Sequence, residues 1–505
     1  MTDGHAEAGG AVPAYRRLED HYRRIRALAD AIGMLNWDRQ VMMPAGGTET
    51  RSATMAALRV MRHQAANAPE LEDLLARAGE EPLGHWQAAN LAEMRRLHLH
   101  ATALAEDLVD ALSRATSRCE TVWQERARPN AEFASVSEAL SQVVALTREA
   151  ADARAERLGT SPYDALLDAY EPGGRSGQID TLFAELEPRL TALLDRVRED
   201  DGASAGHRVP AEHQRTLGLE VMRALGFDFR RGRLDVSVHP FSGGNPDDTR
   251  ITTRYDPDDW SASLMAVIHE TGHALYDQGL PVQWRFQPVG APRGMVLHES
   301  QSLLLEMQVS RSRPFFTFLA PLLRAAFGVS GPAWEADALA RAACRVCRGL
   351  IRVDADEVTY PFHVFLRYRL ERALLSGELA VADLPDAWND GIEEMLGIRP
   401  ENDRDGCLQD IHWYAGAFGY FPTYAMGALA AAQLYAAARA ELPGLDGQVA
   451  RCDLGGLLGW LRTHVHARAS VTSTDDILRA ATGSGLGQEA FLAHLEARYL
   501  VEPGP

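Results

Sequence analysis

From Tyr15 to about Leu225 the chain is dominated by Ala, Leu, Arg and Glu, with apolar positions recurring three and four residues apart. That spacing gathers apolar side chains on one face of a 3.6-residue repeat and predicts a series of amphipathic helices. Pro and Gly at Met43-Pro44-Ala45-Gly46-Gly47 and Glu171-Pro172-Gly173-Gly174, and Asp200-Asp201-Gly202, predict breaks between them. Near Phe227 the period changes. Arg233 to Val238 and Thr249 to Arg254 alternate polar and apolar residues, so two short strands are expected there, flanking a Ser242-Gly243-Gly244-Asn245-Pro246 loop. After Pro257 the helical texture returns and continues to the end, without internal repeats. Residues 1–13 are expected to be disordered. The predicted fold is mainly α, as one domain over 14–505: a helical part over 14–225, a small sheet over 226–256 and a second helical part over 257–505.

Composition narrows the function. The 505 residues include 51 Lys and Arg against 70 Asp and Glu, a formal charge of −19, which argues against a nucleic-acid partner. Five cysteines are sparse and odd in number, as in a reduced, cytoplasmic protein. No signal peptide is expected from the polar Met1 to Pro13 segment. Ile411 to Ala438 lacks Asp, Glu, Lys and Arg, but its Ala, Gly, Tyr and Pro422 make it only weakly apolar. A buried helix pair is expected there rather than a membrane span.

The candidate chemistry sits in His269-Glu270-Thr271-Gly272-His273. Asp259 to Gln278 reads as a helix, with acidic residues at its start, Gly279 just past its end and Pro281 soon after. Residues four apart share a helical face, so His269 and His273 can reach one metal ion while Glu270 lies beside them. A zinc ion there lowers the pKa of water to about 7, and a carboxylate base completes a nucleophile for an amide carbonyl. A catalytic zinc usually takes a third protein ligand. The extended two-turn form with a third histidine fails, because position 276 is Tyr and position 279 is Gly. Glu299, 26 residues beyond His273 at the opening of the next helix, is the expected third ligand. His298 points elsewhere around that helix. Glu306, two turns on, is expected to support the ligands from outside.

These residues, with His298-Glu299-Ser300-Gln301-Ser302, resemble the thermostable (Taq-type) metallocarboxypeptidase family. The resemblance extends to His239-Pro240-Phe241, Asp248-Thr249-Arg250-Ile251-Thr252, Ile351-Arg352-Val353-Asp354-Ala355-Asp356 and Gly406-Cys407-Leu408-Gln409-Asp410-Ile411-His412-Trp413. Asn36-Trp37-Asp38, Met42-Met43-Pro44 and Ser161-Pro162-Tyr163-Asp164 also match, so it covers the chain from about residue 15 onward. It implies a two-lobed helical groove fold, similar to neurolysin and angiotensin-converting enzyme, with the small sheet beside the zinc site, and usually a homodimer. The implied activity is release of single C-terminal residues from peptides with a free C-terminus. An oligoendopeptidase or dipeptidyl carboxypeptidase is the alternative within the same chemistry, and a silent peptide-binding protein the alternative outside it. One departure concerns substrate preference: Leu303, Leu305 and Met307 stand where many members carry Arg, Trp and Asn.

A carboxypeptidase must hold a terminal carboxylate, for which an Arg fork is best suited. Arg352 is the first candidate, although Arg352 and Asp356 also read as an i, i+4 ion pair on a helix. Asp248, Arg250 and Thr252 share one face of a strand, and Arg250 is the second candidate. His239, His412 and Tyr420 are candidates for contacting the substrate or its developing oxyanion; each also reads as a packing residue. Cys344 and Cys347, three apart on an apolar helix, are expected to be core residues.

Overall fold

The computed structural model describes residues 13–199, 207–237 and 240–500. His239, the Asp200-Asp201-Gly202 break and the N-terminal segment up to residue 12 lie outside them. The described residues are mainly helical, with one three-stranded sheet, as expected. No helix among them is long and apolar enough to cross a membrane.

Contacts divide the chain into two compact units. The first comprises Met1–Thr102, Pro281–Ala291 and Ala469–Val471. Its helices Ala14–Val41, Glu70–Ala78 and His85–Thr102 bury the apolar stripes that the pattern predicts, with Tyr15, Leu18 and Tyr22 meeting Leu71, Leu74, Leu75 and Met94. The buried Asn90 amide ties in the returning segment. It donates to Tyr15 Oη at 3.0 Å and Gln287 Oε1 at 3.1 Å, and its oxygen accepts from Val289 N at 3.1 Å.

The second unit comprises Ala103–Leu280, Pro292–Arg468 and Thr472–Pro505, and holds all the described candidate site residues. Its sheet has strands β1 (Gly232–Val236), β2 (Phe241–Asn245) and β3 (Asp248–Thr253) in the order β1-β3-β2. β1 runs parallel to β3, with Leu234 opposite Ile251, and β2 runs antiparallel, with Gly243 opposite Arg250. The segment expected as a loop over 242–246 is thus largely strand. Its Gly-Gly-Asn composition disfavours β structure, but pairing with β3 satisfies its backbone groups and overrides that weak preference.

The His269 helix (Trp260–Gly279) packs on β2 and β3, burying Val267 and Ala274 with Ile251, Leu234 and Met222. Asp259 caps its start, Oδ1 accepting from Ser261 N at 3.1 Å and Ala262 N at 3.2 Å. Against it lies the Glu299 helix (Gly294–Leu303), which continues as a π-helical segment, Leu304–Ser310. The alanine-rich helix Pro422–Glu441 covers the Glu299 helix in turn. It is a single helix rather than the expected pair. Residues 411–421 run as turns, with Gly419 at φ 88°, a conformation that interrupts a helix.

Two glycines set how closely these helices approach. A Cβ on Gly272 would stand 2.5 Å from Gln301 O and from Ser302 Cα, and one on Gly427 would stand 2.7 Å from Glu299 Cβ. Backbone atoms cannot yield as a flexible side chain can, so the first contact is the stricter. Gly272→Ala is therefore expected to cost about 1–3 kcal/mol of stability, through forced separation of the two helices. Urea denaturation checks this; an unchanged midpoint would show that the helices part freely.

Candidate metal centre and active site

His269 and His273 stand one turn apart on their helix, each with one ring nitrogen already engaged. His269 Nδ1 lies 2.8 Å from Glu306 Oε2, and His273 Nδ1 lies 3.0 Å from the His298 carbonyl oxygen. Both partners accept hydrogen bonds, which assigns a proton to Nδ1 of each ring and leaves the Nε2 positions, whose lone pairs bind a metal when deprotonated, facing the centre. Those lone pairs meet at Glu299: Nε2 of His269 is 3.7 Å from Oε1, and Nε2 of His273 is 3.6 Å from Oε2. Three ligands at about 2.1 Å around a tetrahedral ion stand roughly 3.4 Å apart, so the donor set fits a divalent metal. His269, His273 and Glu299 form the one such cluster among the described residues, its donor atoms all within 4.8 Å of one another.

Electrostatics favour a cation in the same place. Burial alone would lower His269, but the Glu306 hydrogen bond and the charges of Glu299, Glu306 and Glu270 raise it to about 10. Carboxylates that hold a proton so firmly also attract a divalent ion that competes for the site. His273 behaves oppositely: burial, then His298 and His269, keep it well below its ordinary value and therefore neutral. The difference lies in the Nδ1 partner, a carboxylate for one ring and a carbonyl for the other. Burial would raise Glu306, yet the His269 hydrogen bond and Arg311, 2.8 Å away, bring it to about 2. Glu306 is thus the ionised support that the sequence pattern anticipates. It reaches His269 from the π-helical segment, whose wider turn resets the spacing from Glu299.

Glu270 is buried beside the cluster, and burial first, then Glu299, push it up to about 7 despite the opposing His269 charge. Its proton affinity is therefore matched to accepting and returning a proton near neutrality.

Arg352 lies in a short 3₁₀ turn, not on a helix. Its partner is not Asp356, which instead accepts from Val358 N at 2.9 Å and Thr359 N at 3.1 Å at the start of the next helix. Arg352 Nη2 donates to Asp410 Oδ1 at 2.8 Å, and its guanidinium lies 4.7 Å from the Tyr424 ring centroid. Its charge reaches Glu299 and works against the rise that burial gives that carboxylate. His412 stacks on Tyr420 at 5.4 Å, and its Nε2 is 3.3 Å from Tyr424 Oη. Burial, with Arg352 and Arg367, outweighs Asp410 and lowers His412 to about 4, leaving it neutral. Tyr420, Tyr424 and Tyr360 are all raised by burial first, and each also senses the Glu299 charge. The structure thus brings Arg352, His412 and Tyr420 together near Glu299. Arg250 stands on β3, forked onto Asp248 at 2.6 and 2.8 Å. Of the two cysteines, Cys344 ends a helix half-buried and Cys347 is exposed beyond it, so neither is the core residue expected.

Sequence reasoning missed Tyr360 and Arg367, and named Gln409 and Asp410 only within a motif. Asp410 meets Arg352 and Arg367 across 58 and 43 residues, and no local pattern announces such contacts.

The family model described as Carboxypeptidase Taq (M32) metallopeptidase matches residues 17–499. Thermostable carboxypeptidase 1 of Thermus thermophilus is 39% identical over 502 residues, covering 96% of this chain and 98% of its own. Carboxypeptidase 1 of Bacillus subtilis is 32% identical, covering 95% and 97%. Among solved structures, Trypanosoma cruzi metallocarboxypeptidase 1 superposes with a TM-score of 0.93 at 39% identity, covering 96% of this chain and 99% of that one. Pyrococcus furiosus carboxypeptidase does so with a TM-score of 0.91 at 34% identity, covering 97% and 100%.

If Glu306 orients His269, Glu306→Gln should weaken divalent-metal affinity about 10–100-fold while the protein stays folded. Competition with a chelator on the metal-free protein measures this. Unchanged affinity would show that His269 needs no ionised partner.

Proposed function

Because the chain belongs to the carboxypeptidase Taq (M32) metallopeptidase family, we propose that His269, His273 and Glu299 hold one zinc ion, for which cobalt or manganese can substitute, and that Glu270 is the general base. The chain is a metallocarboxypeptidase, and peptides are its substrates. The observation that carries the ligand assignment is the pair of engaged Nδ1 atoms, which leaves both Nε2 atoms facing Glu299.

When bound, the metal supplies Lewis acidity toward the peptide carbonyl and toward water. Glu270 accepts the proton of the attacking water as the C–O bond forms, then returns it to the amine nitrogen as the C–N bond breaks. Tyr420, Tyr424, Tyr360 and His412, clustered near Glu299, offer donors for charge developing on the carbonyl oxygen. Arg352 receives the terminal carboxylate. Its Nε and Nη2 face Asp410, while Nη1 donates to no described residue and remains for the substrate. Arg250 and His239 are second candidates for contacting the peptide. Recognition of the chain end confines cleavage to the C-terminus, and release of one residue rather than two requires the carboxylate site to lie one residue from the scissile bond.

The family match over 17–499 supports reading 14–505 as one metallocarboxypeptidase domain. We also propose a homodimer, on the family resemblance, and a cytoplasmic location, on the sparse cysteines, all of them unpaired.

Glu270→Gln should retain the metal yet lose about 10²–10⁴-fold in turnover, whereas Glu299→Ala should lose the metal. Metal analysis alongside kinetics separates the two; a near-wild-type rate for Glu270→Gln would remove it as the base. Amidating the substrate's C-terminus should abolish cleavage, with product sizes read by mass spectrometry. Internal cleavage of amidated peptides at full rate would instead identify an oligoendopeptidase.

A further inference from the structure

Asp410 serves two guanidiniums at once. Oδ1 accepts from Arg352 Nη2 at 2.8 Å, and Oδ2 accepts from Arg367 Nε at 2.7 Å. Gln409 bridges the same two residues, its Oε1 accepting from Arg352 N at 3.0 Å and from Arg367 Nη2 at 2.7 Å. Arg367 has no exposed surface; its guanidinium lies 4.5 Å from the Trp388 ring and 5.5 Å from Phe421, and its Nη1 donates to the His363 carbonyl at 2.8 Å.

The charges do not cancel. Two buried arginines against one carboxylate leave one positive charge in excess. The neighbouring imidazoles do not add to it, because burial first lowers His363 to about 3 and His412 to about 4. Burial and the repulsion of Arg352 lower Arg367 itself to about 10, so it remains charged near neutrality. Burial would raise Asp410, but both arginines hold it well below the usual carboxylate range. Had Asp410 faced Arg352 alone, the pair would be neutral and an incoming carboxylate would compete with Asp410 for one guanidinium. A buried excess charge is costly without a counter-ion, and a substrate carboxylate is a counter-ion of the required sign.

We infer that Arg367 is a positioning residue for substrate recognition: it neutralises Asp410 from behind, so that Arg352 keeps its full positive charge for the terminal carboxylate. This rests on the reading that Arg352 receives that group. Arg367 touches no substrate, and its effect passes through Asp410 and Gln409.

The test is steady-state hydrolysis of one peptide as free acid and as C-terminal amide, by the metal-loaded wild type, Arg367→Gln, Arg367→Lys and Arg352→Gln. Arg367→Gln keeps a polar group but removes the charge. It should raise KM for the free acid about tenfold, change kcat far less, and narrow the preference for acid over amide. Arg367→Lys keeps a charge without the guanidinium fork, so it should recover part of the loss, with KM below that of Arg367→Gln and the preference for acid over amide restored, a rescue that lost packing would not give. Metal content should stay the same in both. Equal impairment of the Gln and Lys variants, or a loss confined to kcat, would overturn the inference. If Arg367→Gln does not fold, folded and metal-loaded Arg367→Lys decides alone through its preference for acid over amide: a preference lost although the charge is kept overturns the inference, and a preference near that of wild type supports it. Arg352→Gln separates the two claims. If it keeps the free-acid preference, the carboxylate reading itself fails. If it loses that preference while Arg367→Gln keeps it, only the role of Arg367 falls.

Discussion

Two imidazoles and three carboxylates lie together between packed helices, and this concentration of ionisable groups constrains everything around it. An unpartnered buried charge costs several kcal/mol, so each group needs a counter-ion or hydrogen bond from a defined direction. His269 obtains one from Glu306, Glu306 obtains a second from Arg311, and His273 obtains its own from a backbone carbonyl. With both Nδ1 positions fixed, the rings cannot turn, and Glu299 is left facing both Nε2 atoms. Small residues make this arrangement reachable. Gly272 admits the backbone of the Glu299 helix, and Gly427 admits Glu299 itself.

A second charged cluster stands beside the first and follows a different rule. Around the metal site negative charge exceeds positive charge from protein groups, which suits a cation. Around Arg352 and Arg367 positive charge exceeds the single Asp410, which suits an anion. Tyr424 links the two electrostatically: its ring lies under the Arg352 guanidinium, and its hydroxyl senses the Glu299 charge. A peptide terminus carries a polarisable carbonyl one residue before its carboxylate. Adjacent sites of opposite preference are what such a substrate requires.

The sequence was most informative where function depends on helical periodicity. The grouping of His269 and His273 is legible because four residues make about one turn, and Glu299 joins them as the third donor that the spacing calls for from the next helix. Glu306 was legible only as a helper, since its reach depends on the π-helical segment, which no composition signal announces. By sequence Arg352 pairs with Asp356 on a helix, an ordinary local pairing, but Asp410 captures it from 58 residues away. β2 was hidden for a related reason: its glycines read as a loop until β3 supplies their hydrogen bonds. Tyr360 and Arg367 gave no signal, because their roles exist only once distant segments meet.

X-ray absorption on the zinc-loaded protein tests the centre most directly. Two imidazole nitrogens at about 2.0–2.1 Å, carboxylate oxygen at about 2.0–2.2 Å and no sulfur are predicted, at one zinc per chain, with one imidazole lost in His269→Ala. Sulfur in the zinc shell, or zinc retained unchanged in that variant, would contradict the assignment of His269, His273 and Glu299.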